Sequence, residues 1–443
     1  MRDILVYLMI ILTITVRIHS DTWIDPLLKQ EILDQSDEYH SVVVLLQDLK
    51  DGQKASSRDS RDRLRRSVLT ILQKSGFNPA SFLDSNLLWI SNGFHVVANT
   101  EEIRAIAKNS QVKSIIFDSE VRLDLPTQKT FWGAVSGPTW GLKKLSIPRV
   151  WEELNLTGKG VRVGILDTGY SKHPALDGRI EISRSFTWGK DDGKPNDGHG
   201  HGTHCLGTIG GSVVEGRQIG VAPGVRYLVG KIFNNKGVGG LSGILKGMQW
   251  MADPDQNPNT QDQPALVSNS WGVSWKEPHR IEALHRAVKT WKEQGIVPVF
   301  AAGNNGYRPA TILLPAAFEE SISVGATDSE DRVASFSSRG PGRYMDHESG
   351  KPDVTAPGVS VYSSDADPRK GKYSYRTGTS MAAPHVAGII ALMLEANPRL
   401  TTEEIRSILG KAAVDLGERG YDFAYGWGRV DGFEAVREAL ELF

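Results

Sequence analysis

Cysteine is almost absent: Cys205 stands alone in 443 residues. That excludes a disulfide within the chain and a zinc cluster built on several thiolates. A dominant charge is missing too, with 51 basic residues against 52 acidic ones and a formal net charge of -1. The balance gives no argument for nucleic acid or a charged membrane surface as partner. Long apolar runs are scarce. Residues 4–16 are almost wholly apolar, between Arg2 and Arg17, but a bilayer span needs about 20 such residues. The length suits a signal-peptide core, and Ser20 is small enough for cleavage, so residues 1–20 read as a secretory signal. The rival reading, an uncleaved anchor, rests on Asp3, which weakens the positive start of the segment. The expectation is an extracellular protein, periplasmic in a Gram-negative cell, without stable membrane association.

What is present is enough chain for two or three cores. Residues 21–118 carry the pattern β-α-β-β-α-β, which predicts a ferredoxin-like α+β domain. A β-branched strand covers 41–47. A charged helix over 58–74 places Leu64, Val68, Ile71 and Leu72 on one face. Asn92-Gly93 between the apolar runs 87–91 and 94–97 predicts a tight hairpin. Thr100 reads as the cap of a helix over 101–108, and 112–117 as the last strand. Residues 119–139 lose periodicity around Pro126, Gly133, Gly137 and Pro138 and read as a linker.

From residue 140 to 443, apolar strands alternate with helices. That order predicts an α/β domain, a doubly wound parallel sheet with helices on both faces. Ligand sites in such sheets gather beyond the carboxyl ends of the strands. Asp167-Thr168-Gly169, Ser270-Trp271-Gly272 and Ala302-Gly303-Asn304 each follow a predicted strand. His199, His201 and His204 form His-x-His-x-x-His, which supports two readings. One is a metallohydrolase cluster, although Thr203 stands where a carboxylate is usual. The other makes His201 a general base. Gly378-Thr379-Ser380-Met381-Ala382-Ala383-Pro384-His385-Val386-Ala387-Gly388 opens a stretch apolar on all sides, hence a buried helix. Pro384 places Ser380 near its N-terminus, where unpaired N–H groups can stabilise an oxyanion. This arrangement serves a serine nucleophile.

The three segments, in the order Asp, His, Ser, resemble the subtilisin family of serine peptidases over residues 140–432. Cys205 follows the His segment as in the proteinase K-like and thermitase-like branches, near the site but not as its nucleophile. The resemblance implies a secreted serine endopeptidase with Ser380 as nucleophile, His201 as base, Asp167 as its orienting carboxylate and Asn304 in the oxyanion hole. It makes residues 21–118 an inhibitory propeptide, bound by its own enzyme and cut off within 119–139. It implies protein or peptide substrates, bound as strands by Gly237, Gly239 and Leu241 and by Ser270, Trp271 and Gly272. Ala302 and Gly303 would wall the primary pocket and Leu313 lie near its floor, with an apolar or aromatic residue preferred there. Calcium is the cofactor implied, structural and not catalytic. Asp353, with the carbonyls of Glu319 and Ser321, matches one family metal site; the competing reading makes Asp353 the cap of a turn. At the other family site Ala175 replaces the usual carboxylate. An inactive binding protein on the same fold is the remaining alternative, disfavoured by the intact Asp167, His201, Asn304 and Ser380. Asp191, Asp192 and Asp197 read as a solvated acidic loop, and residues 253–264 as an exposed mobile insertion.

Overall fold

The computed structural model describes residues 22–33, 38–49, 53–123, 136–187, 194–366 and 373–442. The expected signal segment, most of the linker, Asp191 and Asp192 lie outside them. The N-terminal domain comprises β1 (Trp23–Ile24), α1 (Pro26–Leu33), β2 (His40–Leu46), α2 (Arg58–Lys74), β3 (Leu87–Leu88), β4 (Gly93–Ala98), α3 (Thr100–Ala107) and β5 (Val112–Phe117). Its sheet runs β1-β5-β2-β4-β3, the ferredoxin-like order with β1 added parallel to β5. The two-residue hairpin is not formed. Trp89–Ser91 make a short 3₁₀ turn and Asn92 takes φ 53°. Trp89 and Ile90 are buried there, and the Ile90 carbonyl accepts from Thr290 Oγ1 of the second domain at 3.2 Å. Asn99 rather than Thr100 caps α3, in a reciprocal capping box with Glu102.

The second domain carries β7 (Arg162–Asp167), β8 (Ile180–Ser185), α4 (His201–Gly210), β9 (Arg226–Lys231), α5 (Leu241–Ala252), β11 (Leu266–Asn269), α6 (Pro278–Glu293), β12 (Val297–Ala301), β13 (Ile322–Thr327), β14 (Val354–Pro357) and α7 (Thr379–Ala396); the short β10 (Val238–Gly240) precedes α5. Seven strands form one parallel sheet, ordered β14-β13-β12-β11-β7-β9-β8. Strand alternation divides the core. Val163 and Ile165 face α4 and α7, packing in one cluster with Leu206, Ile209, Val386 and Ile390. Leu166 and Val267 join the opposite cluster, with Leu245, Met248 and Trp291 of α5 and α6. That second cluster continues into Val44, Ile90 and Phe94, so the N-terminal sheet lies on the backs of α5 and α6. Among the described residues α7 alone is long and apolar enough to cross a membrane, and it is a buried core helix.

The chain direction from β7 runs to β8 and β9 on one side and to β11 on the other. The reversal leaves a crevice at the carboxyl ends of β7 and β11. Part of the expected linker enters it. Residues Glu120–Arg122 form β6, antiparallel to β10, with Val121 opposite Gly239.

Candidate active site

Asp167 ends β7 and His201 begins α4. The His201 Nδ1 lies 2.8 Å from Asp167 Oδ1 and 3.0 Å from Oδ2, and both residues are fully buried. Thr168 N donates to the same carboxylate at 2.7 Å. Gly202 allows the close approach of α4 to the strand end, since a Cβ there would sit 2.3 Å from the Gly169 carbonyl. Burial works against a charged imidazole, but the Asp167 carboxylate outweighs it and holds His201 above its ordinary pKa.

Asp197 is a correction to the expected solvated loop. Only 4% exposed, it accepts at Oδ1 from Thr168 Oγ1 and from the backbone N–H groups of His199 and Gly200. Its Oδ2 accepts from Thr203 N and Oγ1. One carboxylate thus satisfies the unpaired donors where α4 begins, and complements the positive end of its dipole. This anchors the first turn of α4, on which His201 sits.

Ser380 is the second residue of α7 and 3% exposed. Pro384 lies further into the helix than expected, and its missing N–H leaves the Ser380 carbonyl without its usual partner four residues on. Ser270 Oγ supplies one at 2.8 Å and Cys205 Sγ another at 3.4 Å. Burial pushes the Cys205 thiol up, so it stays protonated and serves as a donor. The Ser380 hydroxyl donates to the Ser270 carbonyl at 3.1 Å, while His201 Nε2 has no protein hydrogen-bond partner among the described residues. Across the crevice, Asn304 Oδ1 accepts from Thr379 N at 2.9 Å and from Thr379 Oγ1 at 3.0 Å. The Asn304 amide is thereby fixed against the start of α7.

The three histidines do not gather around one ion. His204 Nε2 faces the carbonyls of Val361 and Ser374 at 3.0 and 3.2 Å, and burial keeps it neutral. Ligand atoms grouped with His201 come instead from Asp167 and Cys205.

Gly237 and Gly239 line one side of the crevice, with Leu241 at the start of α5. Leu123 N donates to Gly237 O at 3.0 Å, extending the pairing of β6. Ser270, Trp271 and Gly272 lie beyond β11 on the other side, Trp271 edge-on to Phe300 at 5.5 Å. Gly272, Val121 and Leu313 line one common cavity with Asn305. Leu313 sits between Gly303 of the expected pocket wall and Gly272 of the expected strand-binding segment: a Cβ at Gly272 would be 2.7 Å from its Cβ, and one at Gly303 2.5 Å from its Cγ. Ala302 O accepts from Leu313 N at 2.9 Å.

Asp353 does not fit the expected calcium site. Lys351 Nζ lies 2.8 Å from its Oδ2 and Arg406 Nε 3.1 Å from its Oδ1. The same two side chains donate to the Ser321 carbonyl, and Arg406 also to that of Glu319. Every oxygen expected to ligate the ion already faces a protein cation. A divalent ion added beside two fixed positive charges would be repelled.

The profile of the subtilase family, peptidase S8, matches residues 158–428. Bacillopeptidase F of Bacillus subtilis is 31% identical over 381 residues, covering 79% of this chain and 26% of the relative. The chain therefore spans about a quarter of that protein. Serine protease AprX of Bacillus subtilis is 38% identical over 304 residues, 63% of this chain and 67% of its own. Subtilisin Savinase of Lederbergia lenta is 35% identical over 298 residues, 67% of this chain and 98% of its own.

Proposed function

The chain belongs to the subtilase family of serine endopeptidases, and from that membership we propose a secreted precursor that cleaves itself and then other proteins through Asp167, His201 and Ser380. The observation that carries the reading is the His201 ring, clamped at Nδ1 by Asp167 with Nε2 left to receive a proton. In the reaction the Ser380 hydroxyl turns from the Ser270 carbonyl toward Nε2, loses its proton to it and attacks the scissile carbonyl. Asp167 holds the tautomer and offsets the imidazolium charge. The Asn304 side-chain amide and the Ser380 backbone N–H receive the oxyanion, and the imidazolium then gives its proton to the leaving amine. Asn304→Ala lowers kcat about 100- to 1,000-fold on this reading.

The N-terminal domain acts as the propeptide. Its trailing strand β6 pairs with Gly239 as an extended peptide substrate would, by backbone hydrogen bonds that ask little of sequence. Leu313 between Gly272 and Gly303 makes the primary pocket shallow, which favours small or medium apolar residues over aromatic ones.

Wild type and Ser380→Ala expressed side by side test the reading. Wild type should cut between residues 119 and 139 and digest casein, while the variant stays full length and inert. Maturation and casein digestion by the variant would remove Ser380 from the role of nucleophile.

A further inference from the structure

Beyond α5 the chain reads Asp253-Pro254-Asp255-Gln256-Asn257-Pro258-Asn259-Thr260-Gln261-Asp262. The segment folds back on itself so that carboxylate oxygens of Asp253, Asp255 and Asp262 lie within 4.8 Å of one another. The side chain of Asp253 is 4% exposed, and its Oδ1 has no hydrogen-bond partner. A buried carboxylate oxygen left unpaired beside two further carboxylates is costly, and one guanidinium cannot balance three carboxylates. The other oxygen, Oδ2, is paired with Arg61 of the N-terminal domain, whose guanidinium lies 3.8 Å over the Trp89 ring.

The loop is also held in shape. Thr260 Oγ1 donates to both Asp255 oxygens at 3.0 Å, Asn257 N to Asp255 Oδ1 at 2.8 Å, and Asp255 N to Asp262 Oδ2 at 2.8 Å. These bonds fix the carboxylates without neutralising them. Hard oxygens clustered in this way suit calcium, which takes six to eight of them, with water completing the shell.

We propose that Asp253, Asp255 and Asp262 bind a calcium ion, and that Arg61 weakens this binding while the two domains are docked. A single fixed positive charge at the Asp253 carboxylate lowers affinity for a divalent ion by about tenfold or more.

Calcium titration of the full-length chain inactivated at Ser380 (S380A), stripped with EDTA, tests this by calorimetry and thermal melting. Mass spectrometry on the same samples confirms chain length, so a failure of the processing reading is seen separately. The parent should bind one more equivalent of calcium than the Asp255→Asn/Asp262→Asn variant and show a larger calcium-induced rise in Tm. In EDTA the variant should be no less stable than the parent, because its like charges are gone. Equal stoichiometry would overturn the site. A variant less stable in EDTA that still binds the same number of ions would mark the carboxylates as turn formers only and overturn it equally. Arg61→Gln should raise calcium affinity about tenfold in the docked chain; unchanged affinity would sink the coupling.

Discussion

Arg280 Nη2 lies 2.7 Å from Asp25 Oδ2, a buried ion pair that joins the second domain to the first strand and helix of the N-terminal one. Phe117 N also donates to that oxygen, at 3.3 Å. Removing one partner strands a charge away from water, at a cost of roughly 3–5 kcal/mol. Asp25→Ala in full-length protein inactivated at Ser380 should therefore lower the denaturant midpoint at which the domains separate. Arg280→Ala should do the same, and the double variant should recover part of the loss. Strictly additive losses would show that the pair is not coupled.

On the proposed reading Leu313 sets the depth of the primary pocket, because its side chain meets both Gly272 and Gly303. Leu313→Gly should open that space. In a peptide library, kcat/KM for Phe or Tyr at the cleavage point should then rise relative to Ala or Val by at least tenfold, since burying one aromatic ring contributes more than about 1.4 kcal/mol. An unchanged preference would move the floor of the pocket elsewhere.

The raised pKa of His201 sets the direction of the pH profile. Protonated imidazole cannot accept the Ser380 proton, so activity is lost as pH falls through the enzyme's own His201 pKa, above the usual value near 6.5. On a neutral peptide, kcat/KM should rise with pH to a plateau on the alkaline side. Asp167→Asn removes the charge that raises the pKa. It should shift the midpoint down and lower kcat by about four orders of magnitude through loss of the correct tautomer. A midpoint that stays in place after Asp167→Asn would contradict the electrostatic account.

Asp167, His201 and Ser380 were legible as candidates because each is bound to a local backbone demand. Asp167 ends an apolar strand, His201 lies among glycines, and Ser380 opens an all-apolar helix with a proline four residues on. Asp197 was not legible as an organiser, since its partners Thr168 and Thr203 come from two different elements brought together only by the sheet. The cations at Asp353 were hidden for the same reason. Lys351 is two residues away, but Arg406 arrives from a distant helix. The order of elements from β2 to β5 was legible in the apolar runs, whereas β1 was not, and the turn at Trp89–Ser91 is decided by packing against α5 and α6.

His95 should make the full-length, docked chain sensitive to acid. Its Nε2 is 2.8 Å from Ser41 Oγ and 3.6 Å from Asp118 Oδ2, while Nδ1 faces Asn86 Oδ1 and Lys246 Nζ, both at 3.4 Å. Burial first, and then the Lys246 charge, lower its pKa to about 3. The folded, docked state therefore binds fewer protons than the unfolded chain, in which histidine titrates near 6.5. The resulting stability is fully present above 6.5 and is lost as pH falls from there toward 3. Between pH 7 and pH 5 the loss should be about 2 kcal/mol. Denaturant unfolding of full-length protein inactivated at Ser380 measures it, with His95→Gln as the comparison. The Gln side chain can still hydrogen-bond Ser41 but cannot titrate, so its stability should fall less over this interval by that same amount. Parallel curves for the two proteins would mean that His95 does not titrate between the folded and unfolded states, and the acid sensitivity would have to come from another group.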